Sequence, residues 1–193
     1  MPGPKILVIP GSLRTGSYNV KLAALAVKEL TLNDAEVTRI SLADYPMPIY
    51  DGDHEAHAGP PETAVRLKRM MAAHHGVFIA TPEYNASVAP ILKNAIDWVS
   101  RVRERNEAPY AVFKERVFAL GSASPQAAGG LRSLIALRQI LELGCGAIVL
   151  PEQVAVQNAE RAFDERDNIA DLAAADALRA QLARLVEMAR LMM

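Results

Sequence analysis

Lys5-Ile6-Leu7-Val8-Ile9-Pro10-Gly11-Ser12-Leu13-Arg14-Thr15-Gly16-Ser17-Tyr18-Asn19 runs from an apolar stretch directly into a loop of small, hydroxylated and basic residues. An apolar run without alternation predicts a strand buried on both faces, the pattern of a parallel sheet. Beyond the loop, Val20–Leu32 carries Leu22, Leu25, Ala26 and Leu30 at helical spacing. Strand, donor-rich loop and helix therefore follow one another within about thirty residues.

The same alternation continues outward. Gly76–Ala80, Arg116–Leu120 and Gly146–Leu150 are further apolar runs, and the more alternating Glu36–Ile40 reads as an edge strand. Helical stripes separate them at Pro61–His75, Ala89–Val102 and Leu131–Leu143, and a last helix is predicted from about Asn168 to the C-terminus. Ala43–Pro61 reads as loop and Arg103–Pro109 as a charged connection. Regular β-α alternation predicts an α/β fold, a doubly wound five-stranded parallel sheet with helices on both faces. No repeat or linker divides the chain, so residues 1–193 are expected to form a single domain.

Composition narrows the function classes. The 193 residues carry a net charge of −1, which gives no electrostatic reason to expect nucleic acid. No apolar stretch of about 18 residues predicts a membrane span. The N-terminus lacks the pattern of a signal peptide and the lone Cys145 cannot form an internal disulfide, so a cytoplasmic protein is expected. The histidines show no metal-ligand spacing, and no metal site is expected.

In a doubly wound sheet, ligands bind beyond the carboxyl ends of the strands. The loops at that end are Pro10–Asn19, Thr81–Val88 and Gly121–Gly130. In the first, Gly11 and Gly16 permit tight turning, Ser12, Thr15 and Ser17 offer hydroxyls, and Arg14 offers a charged fork suited to phosphate. The following helix adds free N–H groups and a positive dipole end. Ser17 is also a good helix cap, but capping does not require Arg14 or so many donors. The loop lacks G-x-G-x-x-G and the Gly-Lys-Ser/Thr ending of triphosphate loops, leaving a terminal monophosphate such as that of FMN.

The second loop, Thr81-Pro82-Glu83-Tyr84-Asn85, offers backbone and amide groups that suit the edge of a flavin pyrimidine ring; an ordinary Pro- and Asn-stiffened turn explains it equally well. Asn94 and Asp97 share a helical face, and Trp98 reads as a packing or subunit-contact residue. The small residues of the third loop would let a flat ring lie close to the backbone, or would simply make a flexible connection. No side chain is assigned as a catalytic acid, base or nucleophile, and Cys145 reads as a buried small hydrophobe.

Taken together, Gly11-Ser12-x-Arg14-x-x-Ser17-x-Asn19, Thr81-Pro82-Glu83-Tyr84-Asn85 and Leu92-Lys93-Asn94-Ala95-Ile96-Asp97-Trp98 resemble the NADPH-dependent FMN reductase family, which includes quinone, chromate and azo reductases. The resemblance covers about the first 150 residues. It implies a three-layer flavodoxin-like fold with strand order 2-1-3-4-5 and non-covalent FMN. It implies a phosphate surrounded by Ser12, Arg14, Ser17 and Asn19, with Gly11 and Leu13 also in the cofactor site, an isoalloxazine edge lined by Pro82, Glu83, Tyr84 and Asn85, and a ring flanked by Ser122. It further implies ping-pong hydride transfer from NAD(P)H to FMN and then to small-molecule acceptors such as quinones, azo compounds, chromate or free flavin. A homodimer or homotetramer is expected, in which Asp97, Arg101 or Arg132 completes a neighbouring site. The competing readings are a flavodoxin-like electron carrier and a flavin-binding regulatory protein.

Overall fold

The computed structural model describes residues 2–193. Five strands form one parallel sheet: β1 (Lys5–Pro10), β2 (Glu36–Arg39), β3 (Gly76–Ala80), β6 (Val117–Ala123) and β7 (Ile148–Val156). Their spatial order is β2-β1-β3-β6-β7, which is 2-1-3-4-5 when only these five are counted. β4 (Glu83–Tyr84) and β5 (Ser87–Val88) form a separate antiparallel hairpin. The helices are α1 (Tyr18–Leu32), α2 (Gly52–Ala58), α3 (Glu62–Ala72), α4 (Pro90–Arg101), α5 (Ala111–Lys114), α6 (Leu131–Gln139), α7 (Ala159–Ala162) and α8 (Leu172–Arg190).

The period of two along the buried strands divides the core between the two faces of the sheet. Ile6, Val8, Phe78, Val117 and Ala119 pack with Leu22 and Leu30 of α1 and Leu182 and Leu185 of α8. Leu7, Ile9, Val77, Ile79, Phe118 and Leu120 pack with Leu67 of α3, Leu92 and Ile96 of α4, and Leu134 and Leu137 of α6. Both faces are therefore covered by helices, as the unbroken apolar runs require. The arrangement is a three-layer α/β/α fold.

Several boundaries differ from expectation. β6 runs on through Gly121-Ser122-Ala123, and β7 continues six residues past Leu150. Between Phe118 and Leu120 the pairing jumps from Val149 to Gln153, an irregularity that carries Pro151 on β7. Gln181, fully buried on α8, donates from Nε2 to Leu120 O and Glu152 O at 2.9 Å each and so satisfies carbonyls beside it. The helix from Leu131 ends at Gln139 and passes into a π-turn over Ile140–Gly144. The expected loop at 43–61 holds α2, whose N-cap Asp51 accepts from Asp53 N–H at 2.8 Å. The final helix starts at Leu172 rather than Asn168, capped by Asp171.

His74 lies just past α3, 6% exposed, with Nδ1 2.7 Å from Met70 O. Burial pushes its pKa down, the Met70 carbonyl opposes this, and the charges of Lys5, His75 and Arg116 add to the lowering. A depressed folded pKa means that the unfolded chain takes up the proton first. The stability contributed is present above about pH 6.5 and is lost as pH falls through the folded pKa. Urea midpoints measured from pH 7.5 to pH 5 should therefore fall less steeply for His74→Gln than for the parent; identical slopes would refute the assignment.

Candidate functional site

Loop one is built by three local constraints. Gly11 N–H donates to Ala80 O at 2.8 Å, holding the loop's start against the end of β3. A Cβ at Gly11 would stand 3.2 Å from Leu92 Cδ2, so a larger side chain would press on α4. Gly16 takes φ +70° and turns the chain into α1. Ser17 caps α1, accepting from Asn19 N–H at 3.3 Å, and Ser12 Oγ accepts from Arg14 N–H at 3.3 Å. Among the described residues, the N–H groups of Leu13, Thr15, Gly16 and Tyr18 have no internal partner. Unpaired donors at the mouth of a fifteen-residue helix make an anion seat.

A cleft of about 370 Å³ opens from this seat. Ser12, Arg14, Ser17, Tyr18 and Asn19 line one end, and Pro82, Glu83 and Tyr84 of the hairpin face it. Ala123, Ser124 and Pro125, the last residue of β6 and the two that follow it, form a third wall, with Glu160 of α7 at the rim. Arg14 stands 5.9 Å from the centre of the Tyr18 ring, and Tyr18 stacks on Phe163 at 6.3 Å, so the basic fork rests on an aromatic step.

Not every expected residue faces the cleft. Leu13 turns to a neighbouring apolar groove beside Tyr45, Met47 and Ile91. Asn85 forms the tip of the hairpin with φ +50°, followed by Ala86 at +62°. Two successive left-handed residues make the tight reversal that brings Glu83 and Tyr84 back against Ser87 and Val88. Asn19 is 2% exposed and spends its amide on a single residue, donating to Ala123 O and accepting from Ala123 N–H, both at 2.9 Å. It braces loop one to β6 rather than presenting a free amide. Ser122 does not line the cleft: its side chain lies on the α6 face of β6, fully buried, with Oγ unpartnered. A Cβ on Gly130 would come within 1.9 Å of that Oγ, so only glycine fits there. The third loop meets the cleft through residues 123–125 instead, because β6 is longer than its apolar core.

The charged residues considered as neighbouring-subunit groups have internal partners. Arg101 Nε pairs with Glu55 of α2 at 2.8 Å, and Tyr50 Oη donates to the same carboxylate at 2.7 Å. Those contacts hold Glu55 below the usual carboxylate range, with the Tyr50 hydroxyl the leading cause. Asp97 pairs with Lys93 at 2.7 Å. Asn94 Nδ2 and Trp98 Nε1 both donate to Pro48 O, and Asn94 Oδ1 accepts from Tyr50 N–H. These side chains fasten residues 48–50 across α4. Arg132 pairs with Glu83. Cys145, 5% exposed, precedes β7 at the end of the sheet away from the cleft, and burial pushes its thiol up to about 11. No group of three or more potential metal ligands occurs among the described residues.

The cleft fits a flavin mononucleotide: the anion seat suits a terminal phosphate, and the hairpin and 123–125 wall suit a flat polar ring. Comparison with known proteins agrees. The chain is 36% identical over 183 residues to an NAD(P)H-dependent FMN reductase of Pseudomonas aeruginosa, covering 94% of this chain and 92% of that one. It is 37% identical over 138 residues to a quinone reductase of Escherichia coli K12, covering 71% and 69%. Among solved structures, a flavoenzyme NAD(P)H:(acceptor) oxidoreductase from Paracoccus denitrificans superposes with a TM-score of 0.78 at 28% identity, covering 97% of each chain. Residues 4–161 match the family described as NADPH-dependent FMN reductase, and the chain belongs to that family of oxidoreductases, with FMN as cofactor and NAD(P)H as co-substrate.

Proposed function

We propose that this protein is a single-domain, cytoplasmic oxidoreductase that transfers reducing equivalents from NAD(P)H through bound FMN to quinones in ping-pong order. The carrying observation is a single cleft that joins an anion seat to a flat-ring seat at the carboxyl end of the sheet. Bound FMN supplies the two-electron chemistry, and the protein supplies binding, orientation and electrostatics. Ser12, Arg14 and Ser17 would hold the phosphate, with the unpaired loop N–H groups. Pro82–Tyr84 and residues 123–125 would fix the ring and keep water from its edge. Because the nicotinamide and the acceptor would both have to reach the same flavin ring in this one cleft, they take turns, in ping-pong order. A site that offers no acceptor-specific acid or base would also admit azo compounds, chromate and free flavin.

Tyr84 of the cleft and Leu131 and Ile135 of α6 are 46%, 41% and 57% exposed. Their apolar surface supports assembly as a homodimer or homotetramer. No described helix is long and apolar enough to cross a membrane.

The decisive experiment is an absorbance spectrum of the purified protein followed by anaerobic titration with NADPH and NADH. A flavin spectrum bleached by either nucleotide, with steady-state quinone reduction in the absence of any partner reductase, is expected. Dependence on a separate reductase would instead identify an electron carrier. Arg14→Ala removes a charge-assisted contact and should weaken FMN binding by about 1.5–3 kcal/mol. Unchanged affinity in titration calorimetry would remove Arg14 from the phosphate seat.

A further inference from the structure

Glu83 carries a carboxylate on the hairpin, yet its side chain is only 8% exposed. Arg132, in the first turn of α6, holds that carboxylate through both its backbone and its side chain. Its Nε donates to Oε1 at 2.6 Å, and its backbone N–H donates to Oε2 at 3.2 Å. A second guanidinium nitrogen pairs with Oε1 as well. The carboxylate thus occupies the amino end of α6, where a negative charge is favoured and no side-chain cap exists.

The hairpin needs such an anchor. It has two residues in each strand; Val88 of β5 is packed in the core, but Glu83 and Tyr84 of β4 are not, and two-stranded pairing by itself is marginal in water. Its turn is occupied by Asn85 and Ala86 in the left-handed region, and alanine is disfavoured there. The end of α6 that grips it is itself fixed. Gly129 and Gly130 take φ +61° and +85°, and Gly130 packs against Ser122 of β6. Arg132 therefore connects the hairpin wall of the cleft to the end of β6, whose continuation forms the opposite wall.

We propose that Arg132 is a positioning residue for the flavin site: through its ion pair with Glu83 it sets the placement of Pro82–Tyr84 against the isoalloxazine edge. This rests on the cleft being the FMN site. Breaking the pair lets the hairpin lift, so the ring edge loses fixed hydrogen-bond partners while the fold, held by the core, stays intact. Because the hairpin would contact the ring edge and not the phosphate, both FMN affinity and flavin reduction potential should respond.

The test compares parent, Arg132→Gln, Arg132→Lys, Glu83→Gln and the Glu83→Gln/Arg132→Gln pair. FMN dissociation constants come from fluorescence quenching, reduction potentials from anaerobic dye equilibration, and melting temperatures from the FMN-free proteins. Arg132→Gln and Glu83→Gln are each expected to raise the dissociation constant about tenfold and to move the potential, with the double variant no worse than either single. Arg132→Lys, which keeps the charge without the fork, should recover part of the loss. Dissociation constants within about twofold of the parent, or fully additive losses in the double variant, would overturn the proposal. Parent protein that binds no FMN would overturn the site assignment itself, an outcome visible before any variant is compared.

Discussion

Asn19→Ala is expected to lower the unfolding free energy of the FMN-free protein by about 3 kcal/mol and to weaken FMN binding as well. The expectation follows from hydrogen-bond accounting at one residue. The Asn19 amide donates to Ala123 O and accepts from Ala123 N–H at 2.9 Å, and both contacts are buried. Truncation leaves a buried carbonyl and a buried N–H together without partners. Each such group costs about 1–3 kcal/mol when water cannot reach it fully. The functional loss has a separate origin. Asn19 lies in the first turn of α1 beside the anion seat, and Ala123 begins the 123–125 wall. Removing the brace frees the two ends of the cleft to move independently. Asn19→Asp sharpens the test, because it keeps the shape but sets a carboxylate oxygen against the Ala123 carbonyl and a negative charge beside the phosphate. It should bind FMN more weakly than Asn19→Ala. Denaturant unfolding and FMN titration check both parts, and a loss below 1 kcal/mol would show that the brace is dispensable.

Asn19 also shows where sequence reading ends. Loop one is legible because its donors are neighbours in the chain and follow an apolar strand directly. The brace joins residues 104 positions apart, and the Glu83–Arg132 pair joins residues 49 apart. No local pattern announces either. The strand cores are legible because both faces are buried, so Val, Ile, Leu and Phe crowd together. Their ends are not. β6 continues through Gly121-Ser122-Ala123, small residues that look like loop, and this overshoot moves the wall of the cleft from Ser122 to residues 123–125. β7 tolerates Pro151 because it is an edge strand and its pairing with β6 is irregular there. The helix Gly52–Ala58 has no buried residue and therefore no apolar stripe to read. It is held by polar and aromatic contacts to α4, through Glu55 with Arg101 and His54 against Trp98. The hairpin escapes notice because Asn85 is followed by alanine rather than the glycine usual in such turns.

At the far end of the sheet, Glu107→Ala is expected to cost about 3 kcal/mol of stability. Lys68 lies on α3 and is 3% exposed. Its ammonium meets Glu107, which belongs to the charged connection between α4 and α5. Glu107 also accepts from Glu104 N–H at 2.9 Å. Burial pushes the Glu107 pKa up, but the Glu104 N–H and Lys68 outweigh it and hold the carboxyl below its usual range. Removing the carboxylate strands a buried ammonium. Removing the ammonium does not strand a charge to the same degree, because the Glu107 side chain is a quarter exposed and can take up water. Lys68→Met should therefore lie within about 1 kcal/mol of the parent, and Lys68→Met/Glu107→Ala should recover most of the loss seen with Glu107→Ala alone. The sign of the pH dependence follows from the depressed pKa. The stabilisation is present above the unfolded carboxylate pKa and disappears as pH falls through the folded one, so the gap between parent and Glu107→Ala should close in acid. Equal losses for Glu107→Ala and Lys68→Met would contradict the argument. The connection leads to β6 from the end of the sheet opposite the cleft, so folded Glu107→Ala should bind FMN as the parent does. Weakened binding in that variant would mean that the two ends of the sheet are mechanically coupled, which the independent anchoring of loop one by Gly11 and Asn19 argues against.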